Sequence, residues 1–137
     1  MNNQKRDAEW VSLSEQLAAF LKIERQFARC KWLELPTFSI YLRRQNTFGD
    51  IPSLVIANLD SETPGKGYLR LFMRVLDSQR EAMKGIKDSP MFVYVENVLN
   101  DRLWDHFDRH GWECVRLHGG LQIDYFMPIM DIGRHYK

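Results

Sequence analysis

Hydrophobic and polar positions alternate along this chain with two periods, and the switches between them outline its elements. Leu13, Leu17, Phe20 and Leu21 recur at helical spacing, and Ser12 with Glu15 three residues on reads as a capping box. A helix is expected over about 12–24, with residues 1–8 polar and frayed ahead of it. Residues 25–35 read two ways. Phe27 and Ala28 extend the helix, whereas Ala28, Cys30 and Trp32 alternate as on one face of a strand, and Pro36 ends either option. Thr37–Leu42 alternates with strong β-propensity. Asn46–Pro52 is loop-like, and Ser53–Leu59 is apolar nearly throughout, as in a strand covered on both faces and antiparallel to the one before it.

Past a turn at Pro64-Gly65-Lys66-Gly67, the residues Leu69, Phe72, Met73 and Leu76 form a helical stripe, and a helix is expected over 67–84. Met91–Val95 is a short buried strand. Asn100–His110 follows as a helix with Leu99, Leu103 and Phe107 on one face and Gly111 just past its end. Cys114–Leu117 and Gln122–Met127 pair as a hairpin around Gly119-Gly120, and the polar tail after Asp131 is expected to be loose. The order predicts one mixed sheet in a single domain. Ser53–Leu59 and Met91–Val95 become parallel neighbours, because a strand–helix–strand passage of this length is a crossover.

The glycine turn is the chemically suggestive stretch. Its glycines allow a tight turn and close approach of a ligand, and the helix that follows offers unpaired N–H groups and a positive dipole end. Such a turn suits a phosphate or pyrophosphate, with Lys66 and Arg70 beside it, although G-x-G also occurs simply to turn the chain. Arg70 and Arg74 lie four apart, as on a solvated helix face.

Composition narrows the class. The 137 residues suit one core, and 45% hydrophobic with 27% charged content is that of a globular protein. A net charge of +1 points to neither nucleic acid nor a membrane surface. Cys30 and Cys114 are far apart and, with four histidines in no ligand-like spacing, argue against zinc and for a reducing, cytoplasmic setting. The N-terminus lacks an apolar signal core, and no apolar run reaches the length of a membrane span.

The run Pro64-Gly65-Lys66-Gly67-Tyr68-Leu69, between a strand and an amphipathic helix, resembles motif A of the GNAT N-acetyltransferases, Q/R-x-x-G-x-G/A. Gly67 matches; Pro64 and Leu69 depart from the first and last positions. Asn100 through Trp112 resembles a second family run, N-x-x-A-x-x-L-Y-x-K-x-G-F. Asn100 matches, Arg109 stands for the Lys, Gly111 for the Gly and Trp112 for the Phe. Asp124–Met127 is similar to the family's last strand. The likeness covers about residues 53–128. It implies a GNAT-like mixed central sheet with helices on both faces and a reduced N-terminal part, since only about 36 residues precede the second family strand.

The resemblance also implies an activity, acyl transfer from acetyl-CoA or another acyl-CoA to an amine. The two parallel strands would splay at their C-terminal ends beside Gly65. Pantetheine would run along Ala57–Leu59, with the pyrophosphate on N–H groups from Gly65 to Leu69 and the Leu59 N–H at the thioester oxygen. Cofactor contacts are thus expected from Leu59, Gly65, Lys66, Gly67, Tyr68, Leu69, Arg70, Asn100 and Phe107. Glu96 is the candidate base, ahead of Asp60 and Glu62. Phe107 occupies the position where the family carries a tyrosine acid, and Tyr94, Tyr68 and His106 are nearby proton donors that no motif places. The acceptor is a small-molecule or protein amine. The runner-up is a catalytically silent GNAT-fold protein acting by contact with a protein partner, similar to compact phage products.

Overall fold

The computed structural model describes residues 3–22, 29–61, 67–99 and 101–137. In chain order the elements are α1 (Asn3–Leu21), β1 (Cys30–Glu34), β2 (Phe38–Thr47), β3 (Ile51–Ser61), α2 (Tyr68–Ser78), α3 (Arg80–Met83), β4 (Phe92–Val95), α4 (Asp101–Arg109), β5 (Glu113–Leu117), β6 (Gln122–Pro128) and α5 (Ile132–His135). The strands form one sheet in the order β1-β2-β3-β4-β6-β5. The pair β3/β4 is parallel and the other pairs are antiparallel. The expected crossover and closing hairpin are therefore present.

Strand alternation sorts the side chains onto two faces. Leu33, Ile40, Leu42, Leu54, Ile56, Val93, Val95, Tyr125 and Met127 share one face and the main core. The apolar stripes of α1 and α2 join that core, as do Phe107 of α4 and Ile132 of α5. Where helices on both faces are expected, the described helices gather on one. The opposite face carries Trp32, Tyr41, Arg43, Phe92, Tyr94 and Phe126, and Phe48 from the β2–β3 turn packs edge-on against its last three aromatics.

Expectations change at the chain's ends and in α2, and the open choice at residues 30–34 is settled. Residues 3–8 are helical, so Ser12 lies inside α1 and not at its cap; its Oγ accepts from Gln16 Nε2 at 3.1 Å. The helix extends because Glu9 is buried and accepts from Thr37 Oγ1 at 2.6 Å, an anchor that apolar periodicity cannot register. Residues 30–34 are a strand, which adds an edge at β1. The helix over 67–84 breaks at Gln79, whose Nε2 turns to donate to Ser14 O at 2.7 Å.

The tail after Asp131 is packed, not loose. Tyr136 is 3% exposed. Its hydroxyl accepts from Trp112 Nε1 at 2.8 Å and lies 2.7 Å from His106 Nε2. With its oxygen already accepting from the indole, the phenol proton goes to His106, so that nitrogen acts as an acceptor. Gly111 has φ 77, and a Cβ there would meet His135 Cε1 at 2.4 Å. The glycine thus admits both the left-handed end of α4 and the approach of α5.

Burial, followed by the charges of His110, Arg109 and Arg70, lowers the His106 pKa to about 4. Its ordinary value in the unfolded chain is about 6.5. The unfolded state therefore binds the extra proton first, and this contribution is complete above about pH 6.5 and lost as pH falls through about 4. Stability measured by urea unfolding should drop by on the order of 1–2 kcal/mol between pH 7.5 and 5. In His106→Gln, whose amide oxygen still accepts from Tyr136, the drop should be clearly smaller.

Candidate functional site

The site forms where β3 and β4 part. Their pairing runs from Ser53↔Phe92 to Ile56↔Val95 and closes with Glu96 N–H donating to Ile56 O at 3.2 Å. β3 continues to Ser61, whereas the chain after Val95 turns toward β6. Asn97 takes φ 56, a left-handed conformation that asparagine tolerates better than most residues. Its N–H donates to Asp124 Oδ1 at 2.7 Å, and Val98 N–H donates to Ile123 O at 2.8 Å. Asp124 is 2% exposed and also accepts from Tyr94 Oη and, at 3.0 Å, from Gln122 Nε2. Burial and this carboxyl push the Tyr94 phenol well above the ordinary tyrosine range, so it remains a donor. The splay follows from this grip on one wall.

The result is a cleft of about 290 Å³ with Ile56–Leu59 on one side and Val95–Leu99 on the other. Leu69, Leu103 and Phe107 complete it. Phe107 is 1% exposed and stacks on Tyr125 at 4.7 Å. Leu99, expected on its helix face, is instead 75% exposed at the cleft margin. Trp104 Nε1 holds α4 against the turn by donating to Val98 O at 2.9 Å.

The register of β2 against β3 defines what the first wall offers. It jumps from Leu42↔Ile56 to Tyr41↔Asn58, so Ala57 is the extra residue of a bulge. In β2, Phe38 O accepts from Leu35 N–H and Arg44 N–H donates to Arg29 O, so the even-numbered residues aim their backbone groups at the β1 side. Ile40 is one of these, and its partner Leu59 accordingly faces away from β2. Past the end of β4 that direction is the open cleft.

Glu96 lines the cleft, and its carboxylate is paired with Arg43 of β2. Leu69 lines it too, while Tyr68 is buried and stacked on Phe38 at 4.5 Å. Gly67 begins α2 with φ 77, and its O accepts from Leu71 N–H at 3.0 Å. Arg70 is exposed on the first turn and donates to the Lys137 carbonyl. A second hollow of about 400 Å³ runs beside this turn between α1 and α2, with Trp10, Arg70 and Arg74 on its walls. Gly65, Lys66, Glu62 and Asn100 lie outside the described residues, and Asp60 pairs by its backbone with Ser39. The other proton donors considered stand elsewhere: Tyr94 on Asp124, Tyr68 in the core and His106 under Tyr136. Sequence reasoning missed Arg43 and Asn97, and it placed Ala57 on the pantetheine strand without its bulge. Of these only Asn97 had a local signal, as an asparagine near the end of a strand.

No protein-family model and no curated protein matches the chain. Solved structures do. The chain is similar to the AtaTR crystal structure bound with acetyl-CoA, with TM-score 0.55 and 20% identity over 90% of this chain and 85% of that one. It is also similar to the AtaT–AtaR complex bound to DNA, with TM-score 0.52 and 18% identity over 74% and 65%. A third likeness is to a tyrosine-to-phenylalanine mutant of the AtaT toxin bound to the C-terminus of the antitoxin AtaR and acetyl-CoA, with TM-score 0.50 and 19% identity over 72% and 62%. The chain spans less than two thirds of the length of the last two. The likeness is one of fold, and the fold is GNAT-like.

The grip of Asp124 can be tested directly. Asp124→Ala strands the buried Tyr94 hydroxyl, at about 1–3 kcal/mol, and removes the acceptor of the Asn97 N–H, which water can replace in part. Urea unfolding should register a loss of that order, with Asp124→Asn much milder because its amide oxygen still accepts. Equal losses for the two variants would mean that acceptance at this position does not hold the turn.

Proposed function

We propose that this GNAT-fold protein transfers an acetyl group from acetyl-CoA to a primary amine. The observation that carries the reading is the Leu59 backbone, directed by the Ala57 bulge into a cleft that Leu69, on the first turn of α2, also lines. The cleft suits a narrow pantetheine chain, and the space around Gly67, where a built Cβ meets nothing within 4 Å, suits a bulky phosphate group. Solved neighbours of the same fold carry acetyl-CoA. The cofactor supplies a thioester: a C–N bond forms, the C–S bond breaks, and the sulfur leaves with the electron pair and then takes a proton.

The chain's residues divide the remaining work. The Leu59 N–H is the donor available to an acyl oxygen that gains negative charge. Gly67, Tyr68 and Leu69 present the first N–H groups of α2 to phosphate, with Lys66 and Arg70 as cations and Gly65 and Asn100 as further contacts. Glu96 receives the proton that an ammonium acceptor must lose, and Arg43 holds its carboxylate at the cleft. Phe107 offers the departing sulfur a ring and no proton.

Phe107 also favours a second reading, a protein that keeps the fold and acts by contact. Among the described residues no tyrosine lines the cleft, and the neighbours include a toxin held by an antitoxin. A protein partner fits this reading. A net charge of +1 provides no electrostatic ground for a DNA contact of the chain's own.

Calorimetry with acetyl-CoA tests the site. Gly67→Asp, which puts a negative charge at the turn, should weaken binding at least about tenfold, whereas Gly67→Asn, neutral and tolerant of the left-handed conformation, should cost far less. Unchanged affinity in Gly67→Asp would make the glycine turn merely a turn. Turnover then separates the two readings. If the protein is an acetyltransferase limited by proton delivery, Phe107→Tyr should raise acetyl-CoA turnover by roughly 10²–10⁴-fold. No turnover in either form, together with intact cofactor binding, would favour the contact reading.

A further inference from the structure

The first turn of α2 is a ridge between two hollows. Leu69 lines the cleft, whereas Gly67, Arg70 and Leu71 line the hollow of about 400 Å³ on the α1 side. Half-buried Trp10 and exposed Asp7 supply the α1 wall of that hollow. Arg74 borders it one helical turn beyond Arg70, and both arginines are exposed. Helix side chains lean toward the N-terminus, so both cations are carried back toward Gly67. Arg70 donates to the Lys137 carbonyl and retains further N–H groups. Among the described residues Arg74 forms no ion pair, and Asp7 forms none with either arginine. The hollow therefore offers a flat indole and two cations against one carboxylate.

We propose that this hollow holds the 3′-phosphoadenosine end of coenzyme A, with adenine against Trp10 and the 3′-phosphate on Arg74 and Arg70. The proposal rests on the acetyltransferase reading, which lays pantetheine in the cleft and the pyrophosphate on the N–H groups between Gly67 and Leu69. A molecule held at its middle by that turn has one end on each side of it. The acyl end occupies the cleft, so the nucleotide end is delivered to the hollow. Charge agrees, since a phosphate monoester carries about −1.5 to −2 at neutral pH and the two guanidiniums outweigh Asp7. Reach agrees as well. The Arg74 backbone lies about 10 Å along the helix axis from Gly67, and the backward lean of its side chain shortens that gap toward the span of one ribose. An indole face stacks on a base without reading its identity, so Trp10 adds affinity and Arg74 recognises the phosphate.

The test is calorimetry on the full chain with acetyl-CoA, its 3′-dephospho form and the acetyl thioester of phosphopantetheine. The wild type should bind acetyl-CoA about 10-fold more tightly than the dephospho form, the scale of one charge-assisted phosphate contact. Arg74→Gln should bring the two affinities close to equality. Its affinity for the dephospho form should stay at the wild-type value, which also reports that the variant is folded. Trp10→Leu should weaken both nucleotide-bearing ligands alike, by about 5–10-fold, and leave the phosphopantetheine thioester unaffected. Equal wild-type affinity for acetyl-CoA and its dephospho form, a preference that survives Arg74→Gln, or a loss in Arg74→Gln shared by the dephospho form overturns the assignment and leaves the acetyltransferase reading standing. Failure of the wild type to bind acetyl-CoA overturns both.

Discussion

A single buried carboxyl group gives this sheet its opening. Asp124 accepts from the side chain of Tyr94, from the backbone of Asn97 and from Gln122, so β4, the turn after it and β6 meet at one acceptor. A buried polar group is costly unless its capacity is used. Here the requirement works on the chain: the Asn97 N–H reaches Asp124 only if the backbone leaves the β3 ladder and enters a left-handed turn. Parallel pairing with β3 therefore ends at Val95. Had it continued, Leu59 would have had a strand beside it and no cleft would exist. The bulge at Ala57 acts on the other wall. One extra residue shifts the phase of the backbone, so Leu59 rather than Asn58 faces the gap.

The two devices differ in how far they can be read from sequence. Apolar runs at Ser53–Leu59 and Met91–Val95, with a helix stripe between them, are enough to specify a parallel pair, because topology allows few alternatives. Gly67 was legible as the start of a helix, and α2 begins at Tyr68 with Gly67 at its N-cap. Burial of Phe107 followed from its helix face. The bulge was not legible, since Ala57 is an ordinary residue of an apolar strand and the register depends on β2 as much as on β3. Arg43 was hidden for a related reason: it meets Glu96 across 53 residues of chain.

The ends of the chain show the same limit. Polar composition reads as fraying, yet Glu9 and Tyr136 are buried through hydrogen bonds to Thr37, Trp112 and His106. Periodicity measures apolar burial alone. It misses segments whose docking depends on a polar atom finding a distant partner, and both termini here dock that way. β1 was ambiguous because only Leu33 of its five residues is buried, so an edge strand carries little of the alternation that identifies a strand.

Gathering the helices on one face has a functional consequence. The start of α2, where phosphate would be held, lies on the helical side, and the Glu96 carboxylate lies on the bare side. The cleft passes between them, so the two substrates of a transfer reaction would enter from opposite faces and meet at Leu59. On the helical side the walls are shaped by the core and tolerate little change. On the other side the described residues place no helix over Trp32, Tyr41 and Asn58. With α1 packed beside α2 and β1 serving as a short edge, the described elements leave that face as open sheet.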